Sequence, residues 1–214
     1  LLPPPDTIQP EGLTPTPLPM LPVRSGLQTG WLPGAGQGAV VLARDSLSQT
    51  DPDLPALGVA LHVLAGGVRS RLLVALRHDT GLIYSLSSDI GAGPIPGILT
   101  IAIPTRASRL TQTSQQAMAV LADFAANGIT PAEHAAAVAS LRLSAVPDTP
   151  DDTLQGAMEA IRHGWPVAHR QQTAVESAAL STAEINAFIS RFFSPDAVVV
   201  PRVLPTPGLS PRAP

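Results

Sequence analysis

The chain has 214 residues, of which 44% are hydrophobic and 14% charged, and a formal net charge of −3. That length suits one large domain or two small ones, and the core must come from Ala, Leu and Val, because aromatics make up only 3%. All 13 basic residues are Arg, a bias typical of a GC-rich bacterial coding sequence; no basic run exists to suit a nucleic acid, and the lack of Cys excludes disulfides and thiolate metal sites.

Residues 1–22 are dense in Pro and poor in charge, which favours an extended arm or linker. The chain opens Leu1-Leu2-Pro3-Pro4-Pro5, with no initiator Met and no basic leader. A removed targeting peptide and a fragment account for this equally well, so bacterial cytoplasm and periplasm both stay open. No apolar stretch looks close to the ~20 residues of a bilayer span, so no membrane partner is expected.

Leu27–Trp31 and Gly38–Ala43 are expected as strands around a Pro33-Gly34 turn. A helix is expected from Asp51-Pro52-Asp53, with Leu57, Leu61 and Leu64 on one face. Gly66 and Gly67 should end it through a left-handed glycine termination. A second helix is expected over Arg69–His78, then strands over Leu82–Asp89 and Ile98–Pro104 joined by a hairpin loop at Gly91–Gly97. Arg106–Asn127 should be a long amphipathic helix that buries Leu110, Ala117, Leu121 and Phe124 and stops at Gly128.

Thr130-Pro131-Ala132-Glu133 is a capping box that opens a helix to about Ala145. Asp151 or Asp152 should cap another, to about His163. Ser181-Thr182-Ala183-Glu184 is a second capping box, for a helix to about Phe193. Asp196–Val200 is expected as the last strand. The tail beyond is Pro-rich again, giving an arm at 1–22, a domain at 23–203 and a tail at 204–214. Strands in hairpins with helices gathered beside them predict an α+β fold, a two-layer sandwich of a mostly antiparallel sheet with helices on one face.

The segments Leu64-Ala65-Gly66-Gly67 and Leu76-Arg77 through Gly81-Leu82-Ile83-Tyr84 carry the most chemistry. Arg77 is expected near a helix end and Tyr84 on the strand that follows. A guanidinium and a phenol so placed can grip a peptide backbone or a carboxylate, but cannot cut one. From spacing alone, Arg77 is better explained as a cation at a helix C-terminus and Tyr84 as an ordinary strand aromatic. His62, His78, His134, His163 and His169 lack helical metal-ligand spacing and are taken as surface or core residues. Trp31 and Trp165 are taken as packing residues.

Together, Gly36-Gln37, Thr50-Asp51-Pro52-Asp53, Leu64-Ala65-Gly66-Gly67, Ser70-Arg71-Leu72, Leu76-Arg77, Gly81-Leu82-Ile83-Tyr84-Ser85, Gly128 through Glu133 and Leu180 through Glu184 resemble a domain of the pitrilysin, or insulinase-type, zinc metallopeptidases. The mitochondrial processing peptidases and the core subunits of the respiratory bc1 complex share that superfamily. The resemblance covers about Gly26 to Val203. It implies a second-half domain, the kind that lacks His-x-x-Glu-His and carries Arg and Tyr seven residues apart for substrate binding. Arg77 and Tyr84 match that pair. The chain departs from the pattern in having His78 after the Arg, where an acidic residue is common, and in a short glycine loop of Gly66 and Gly67.

The resemblance further implies a partner domain or subunit with His-x-x-Glu-His, zinc held by that partner, and a peptide substrate. This chain would bind no metal and would be inactive alone. An inert structural or peptide-binding module of the same superfamily is the alternative. An unrelated ferredoxin-like ligand-binding domain is a third reading, which treats the motif matches as chance.

Overall fold

The computed structural model describes residues 26–32, 37–92, 96–163 and 165–205. The expected Pro-rich arm, the Pro33-Gly34 turn, the middle of the Gly91–Gly97 loop and residues 206–214 lie outside the described residues, as does the side chain of Trp31.

Five strands form one sheet: β1 (Gly26–Leu32), β2 (Gly38–Asp45), β3 (Ser87–Ala92), β4 (Pro96–Thr105) and β5 (Val199–Pro205). Their order is β1-β5-β2-β4-β3. All pairings are antiparallel except that of β1 with β5. The fold is α+β, with a mostly antiparallel sheet, as the sequence predicts. One pairing differs from expectation: β1 and β2 are not neighbours, because the last strand lies between them. That strand also starts later and runs further than Asp196–Val200, so the first residues of the Pro-rich tail are part of the sheet. Pro201 and Pro205 lack an N–H, yet the other groups of β5 suffice to bridge β1 and β2.

Period-two alternation explains which face of the sheet is covered. Val40 and Leu42 of β2 and Leu99, Ile101 and Ile103 of β4 are all buried. The register sets Val40 opposite Ile103 and Leu42 opposite Ile101, so these side chains share one face.

Two helices follow β2. α1 (Leu54–Leu61) continues into a π-helical turn at His62–Gly66, and α2 (Arg71–Leu73) continues into another at Val74–Asp79. Leu57, Leu64, Leu72 and Leu76 are fully buried along them. As one stretch, Leu54–Asp79 spans 26 residues and contains an 18-residue window with a mean hydropathy of 1.5. By length and composition this is apolar enough to cross a membrane, contrary to the expectation from sequence. The domain's own core accounts for its character, since 56% of the apolar window is buried there.

After β4 come α3 (Leu110–Asn127), α4 (Pro131–Ser144), α5 (Pro150–His163), α6 (His169–Ala179) and α7 (Thr182–Phe192). Leu110, Ala117, Leu121 and Phe124 of α3 are buried as predicted. Gly128 stops α3 at φ 65. A side chain there would also collide with Asn186 Oδ1 of α7, which accepts the Ile129 N–H at 2.7 Å. Both capping boxes form as read, at Thr130 with Glu133 and at Ser181 with Glu184.

The cap of α5 differs from expectation. Thr149 is the capping residue: its Oγ1 accepts the Asp152 N–H at 3.1 Å, while Asp152 Oδ2 accepts the Thr149 N–H at 3.0 Å. Asp152 is the return partner, three residues into the motif. The four Phe of the chain, Phe124, Phe188, Phe192 and Phe193, are all buried in one cluster. Phe124 and Phe193 meet edge to face at 5.3 Å, and Phe188 stacks on Phe192 at 4.9 Å. The scarce aromatic residues are thus concentrated where α3 meets α7.

Candidate functional site

The link from α2 to β3 is a tightly tied reversal. The Leu76 carbonyl accepts three hydrogen bonds, from the N–H groups of Leu82 (2.8 Å) and Ile83 (3.2 Å) and from Thr80 Oγ1 (3.2 Å). Gly81, at φ 61, supplies the left-handed residue that the reversal needs. Arg109 donates to the Gly81 carbonyl at 2.8 Å, and Thr105 Oγ1 donates to the Leu82 carbonyl at 3.0 Å. Leu82 and Ile83 are then buried as plugs. The next side chain, Tyr84, is expelled outward and is 79% exposed.

Tyr84 therefore lies in this reversal, ahead of β3, and not on a strand. The expected strand over Leu82–Asp89 begins only at Ser87. The reversal nonetheless brings the two predicted site residues together. The Arg77 guanidinium carbon sits 4.8 Å from the Tyr84 ring centroid. Such an exposed cation–π contact contributes roughly 0.5–1 kcal/mol. Arg77 makes no ion pair among the described residues. Its N–H edges and the phenol hydroxyl remain available for an incoming carbonyl or carboxylate.

The glycine loop has a different cause from the one expected. Neither Gly66 nor Gly67 adopts the left-handed conformation; Gly67 is extended, at φ −137 and ψ 169. Both are small because the His62 ring lies against them. A Cβ on Gly66 would sit 3.0 Å from His62 Nδ1, and one on Gly67 would sit 3.3 Å from Nε2. Burial lowers the pKa of His62 and keeps its imidazole neutral near pH 7. A cavity of about 450 Å³ opens beside this loop, bounded on the far side by α4.

Arg71, in the middle of the Ser70-Arg71-Leu72 motif, has a role that sequence reasoning missed. Its Nε and Nη2 donate to the two oxygens of Glu133 at 2.7 and 2.9 Å. Nη2 also donates to the Gly128 carbonyl at 2.8 Å, and Nη1 lies 3.3 Å from Asp123 Oδ2. This arginine ties α2 to the end of α3 and the start of α4. Its hydrogen bonds, joined by those from Thr130, hold the Glu133 carboxyl down to about 2. The clue in the sequence was that Glu133 already belonged to a capping box, which fixes its carboxylate within reach of a half-buried cation.

The histidines are dispersed. His134 Nδ1 is 3.0 Å from Thr182 Oγ1, His169 stacks on Trp165 at 4.1 Å, and His78 is exposed. Among the described residues, no group of three or more His, Asp or Glu could hold a metal ion. The His-x-x-Glu-His pattern is absent from the full sequence.

Solved structures share this architecture. A peptidase M16 inactive domain from Pseudomonas fluorescens is 23% identical, with a TM-score of 0.73, over 86% of this chain and 44% of that one. A protease from Helicobacter pylori is 15% identical, with a TM-score of 0.76, over 91% of this chain and 48% of that one. An inactive peptidase domain from Bordetella parapertussis is 16% identical, with a TM-score of 0.64, over 80% of this chain and 94% of that one. The chain thus spans less than half the length of the first two. No functionally curated protein matches it. The sequence profile of the peptidase M16 inactive domain matches residues 9–141, more than half of the chain. The chain belongs to this pitrilysin/insulinase-type peptidase family, as an inactive domain without the zinc motif.

Proposed function

We propose that this domain is the substrate-gripping half of a zinc metalloendopeptidase. Arg77 and Tyr84 hold a peptide near the scissile bond. A partner domain or subunit with His-x-x-Glu-His supplies zinc, the attacking water and the general base. The observation that carries this reading is the Arg77–Tyr84 pair, stacked at 4.8 Å and left exposed by a rigid reversal. Guanidinium donors suit a peptide carbonyl, and a phenol hydroxyl suits the oxyanion that develops when water adds. The match to about half the length of larger protease-fold chains supports the existence of a second half.

The test is to assemble the full chain with its His-x-x-Glu-His partner and assay peptide hydrolysis and zinc content. The expected outcome is about one zinc per assembled pair and none on this chain alone. Arg77→Ala and Tyr84→Phe should each lower kcat/KM about 100-fold, as loss of an oxyanion donor does. Undiminished turnover by both variants would reject the role.

A second reading, an inert structural or peptide-binding module, has one observation in its favour. Arg77 already has a partner in the Tyr84 ring, so the contact is satisfied without a substrate. Full zinc loading of the pair with no turnover of any peptide would select this reading.

A further inference from the structure

We propose that the cavity beside the Gly66–Gly67 loop binds a carboxylate carried on an apolar group, such as the last residue of a peptide that ends in a leucine-like side chain. The proposal rests on this cavity and not on Arg77 or Tyr84. Its volume, about 450 Å³, is within the range of small-ligand sites and suits one or two residues.

Three features define the ligand. The wall formed by α4 presents Ala132, Ala136 and Ser140 at helical spacing, so it is shallow and mostly apolar. Opposite it, Ser70 is only 3% exposed, and its hydroxyl has no hydrogen-bond partner among the described residues. A buried hydroxyl of this kind costs stability unless an acceptor reaches it. At the rim, Arg69 is exposed and makes no ion pair among the described residues.

The remaining charges do not oppose an anion. Glu133 also lines the cavity, but two Arg71 N–H groups cover its carboxylate at 2.7 and 2.9 Å. His62 is neutral and packs its ring against the glycines, so it forms a flat wall. Among the described residues that line the cavity, this leaves the unpaired Arg69 cation and the buried, unpartnered Ser70 hydroxyl over a mostly apolar floor. A carboxylate answers both, and its apolar substituent fills the rest.

The test is titration calorimetry on the full chain with four probes: N-acetyl-leucine, its amide, and a tetrapeptide ending in leucine with a free or amidated terminus. Both free acids should bind saturably, and both amides should bind at least tenfold more weakly. A tetrapeptide tighter than N-acetyl-leucine identifies a peptide terminus as the source; equal affinity identifies a free acid. Arg69→Glu should weaken the acids about tenfold and leave the amides unchanged. Ser70→Ala should weaken the acids several-fold while melting holds or rises, because its hydroxyl bonds nothing in the fold. Ala136→Leu, at an exposed position, should block the cavity without unfolding the chain. Amides that bind as well as acids, or acids that bind Ala136→Leu undiminished, would overturn the proposal.

Discussion

Arg71 and Arg77 lie six residues apart in the same helical segment and meet opposite surroundings. Arg71 is 20% exposed and makes four hydrogen bonds to three residues, Asp123, Gly128 and Glu133. Arg77 is exposed, has no ion pair among the described residues and lies over a neighbouring ring face in a weak contact. Identical chemistry is spent on architecture in one case and left uncommitted in the other. The division explains how a cation and its phenol neighbour can be held in place without the cation being spent on the fold: Arg71 locks the frame, and the frame presents Arg77.

This contrast can be broken by experiment, starting with the largest effect. In the assembled peptidase, the roughly 100-fold loss expected for Arg77→Ala corresponds to about 2.7 kcal/mol of transition-state binding. The same assay on Arg71→Ala should show a smaller loss in kcat/KM that parallels its loss of folded protein. If Arg71→Ala abolishes turnover in fully folded material, the two roles are not separate.

For stability the order reverses. Arg71→Ala leaves Glu133 with its Thr130 donors alone and removes the guanidinium donor from the Gly128 carbonyl, and should cost about 2 kcal/mol, or about 4–8 °C in Tm for a domain of this size. Thermal unfolding followed by circular dichroism checks this.

The pH dependence gives a third measure. The folded pKa of Glu133 is held below its ordinary value of 4.5, down to about 2. The unfolded chain therefore takes up this proton first as pH falls. The stabilisation from the Arg71–Glu133 pair is complete above pH 4.5 and is lost as pH falls toward about 2. Because the Glu133 side chain keeps 31% of its surface exposed, the screened effect is discounted to about 1 kcal/mol. Denaturant titrations at several pH values should show a shallower acid slope for Glu133→Gln than for the parent chain. The smallest effect is the stability change on Arg77→Ala, expected at or below about 0.5–1 kcal/mol, the worth of one exposed cation–π contact.

Much of this was visible in the sequence because it depends on near neighbours. A capping box needs four residues, so Thr130 with Glu133 and Ser181 with Glu184 could be read directly. The α3 face and its stop at Gly128 follow from helical periodicity. The association of Arg77 with Tyr84 was also legible, but its cause was not. A strand was expected, whereas a reversal around the Leu76 carbonyl does the work.

What stayed hidden depends on distant partners or on departures from regular periodicity. The two π-helical turns shift the register of α1 and α2 with no signal in composition. α6 was not assigned an extent because its core contribution is small, chiefly Ala174 and Ser177. The need for small residues at Gly66 and Gly67 comes from an imidazole four or five positions upstream, a contact that no turn rule describes. Arg71 could be assigned only once α2, α3 and α4 had been assembled around it.

The placement of β5 has a consequence for how the molecule is made. Gly26 lies opposite Val199 and Leu32 opposite Pro205, so among the described residues the first strand pairs only with a strand made after every other described element. Such a pairing carries a large loop-closure cost and forms late. Until synthesis has passed Pro205, only three of the described strands, β2, β4 and β3, can pair in this order, and the β2 flank that β5 covers has no partner among the described residues. A chain cut short before Val199 would forfeit two strands, the one it lacks and the one it made first.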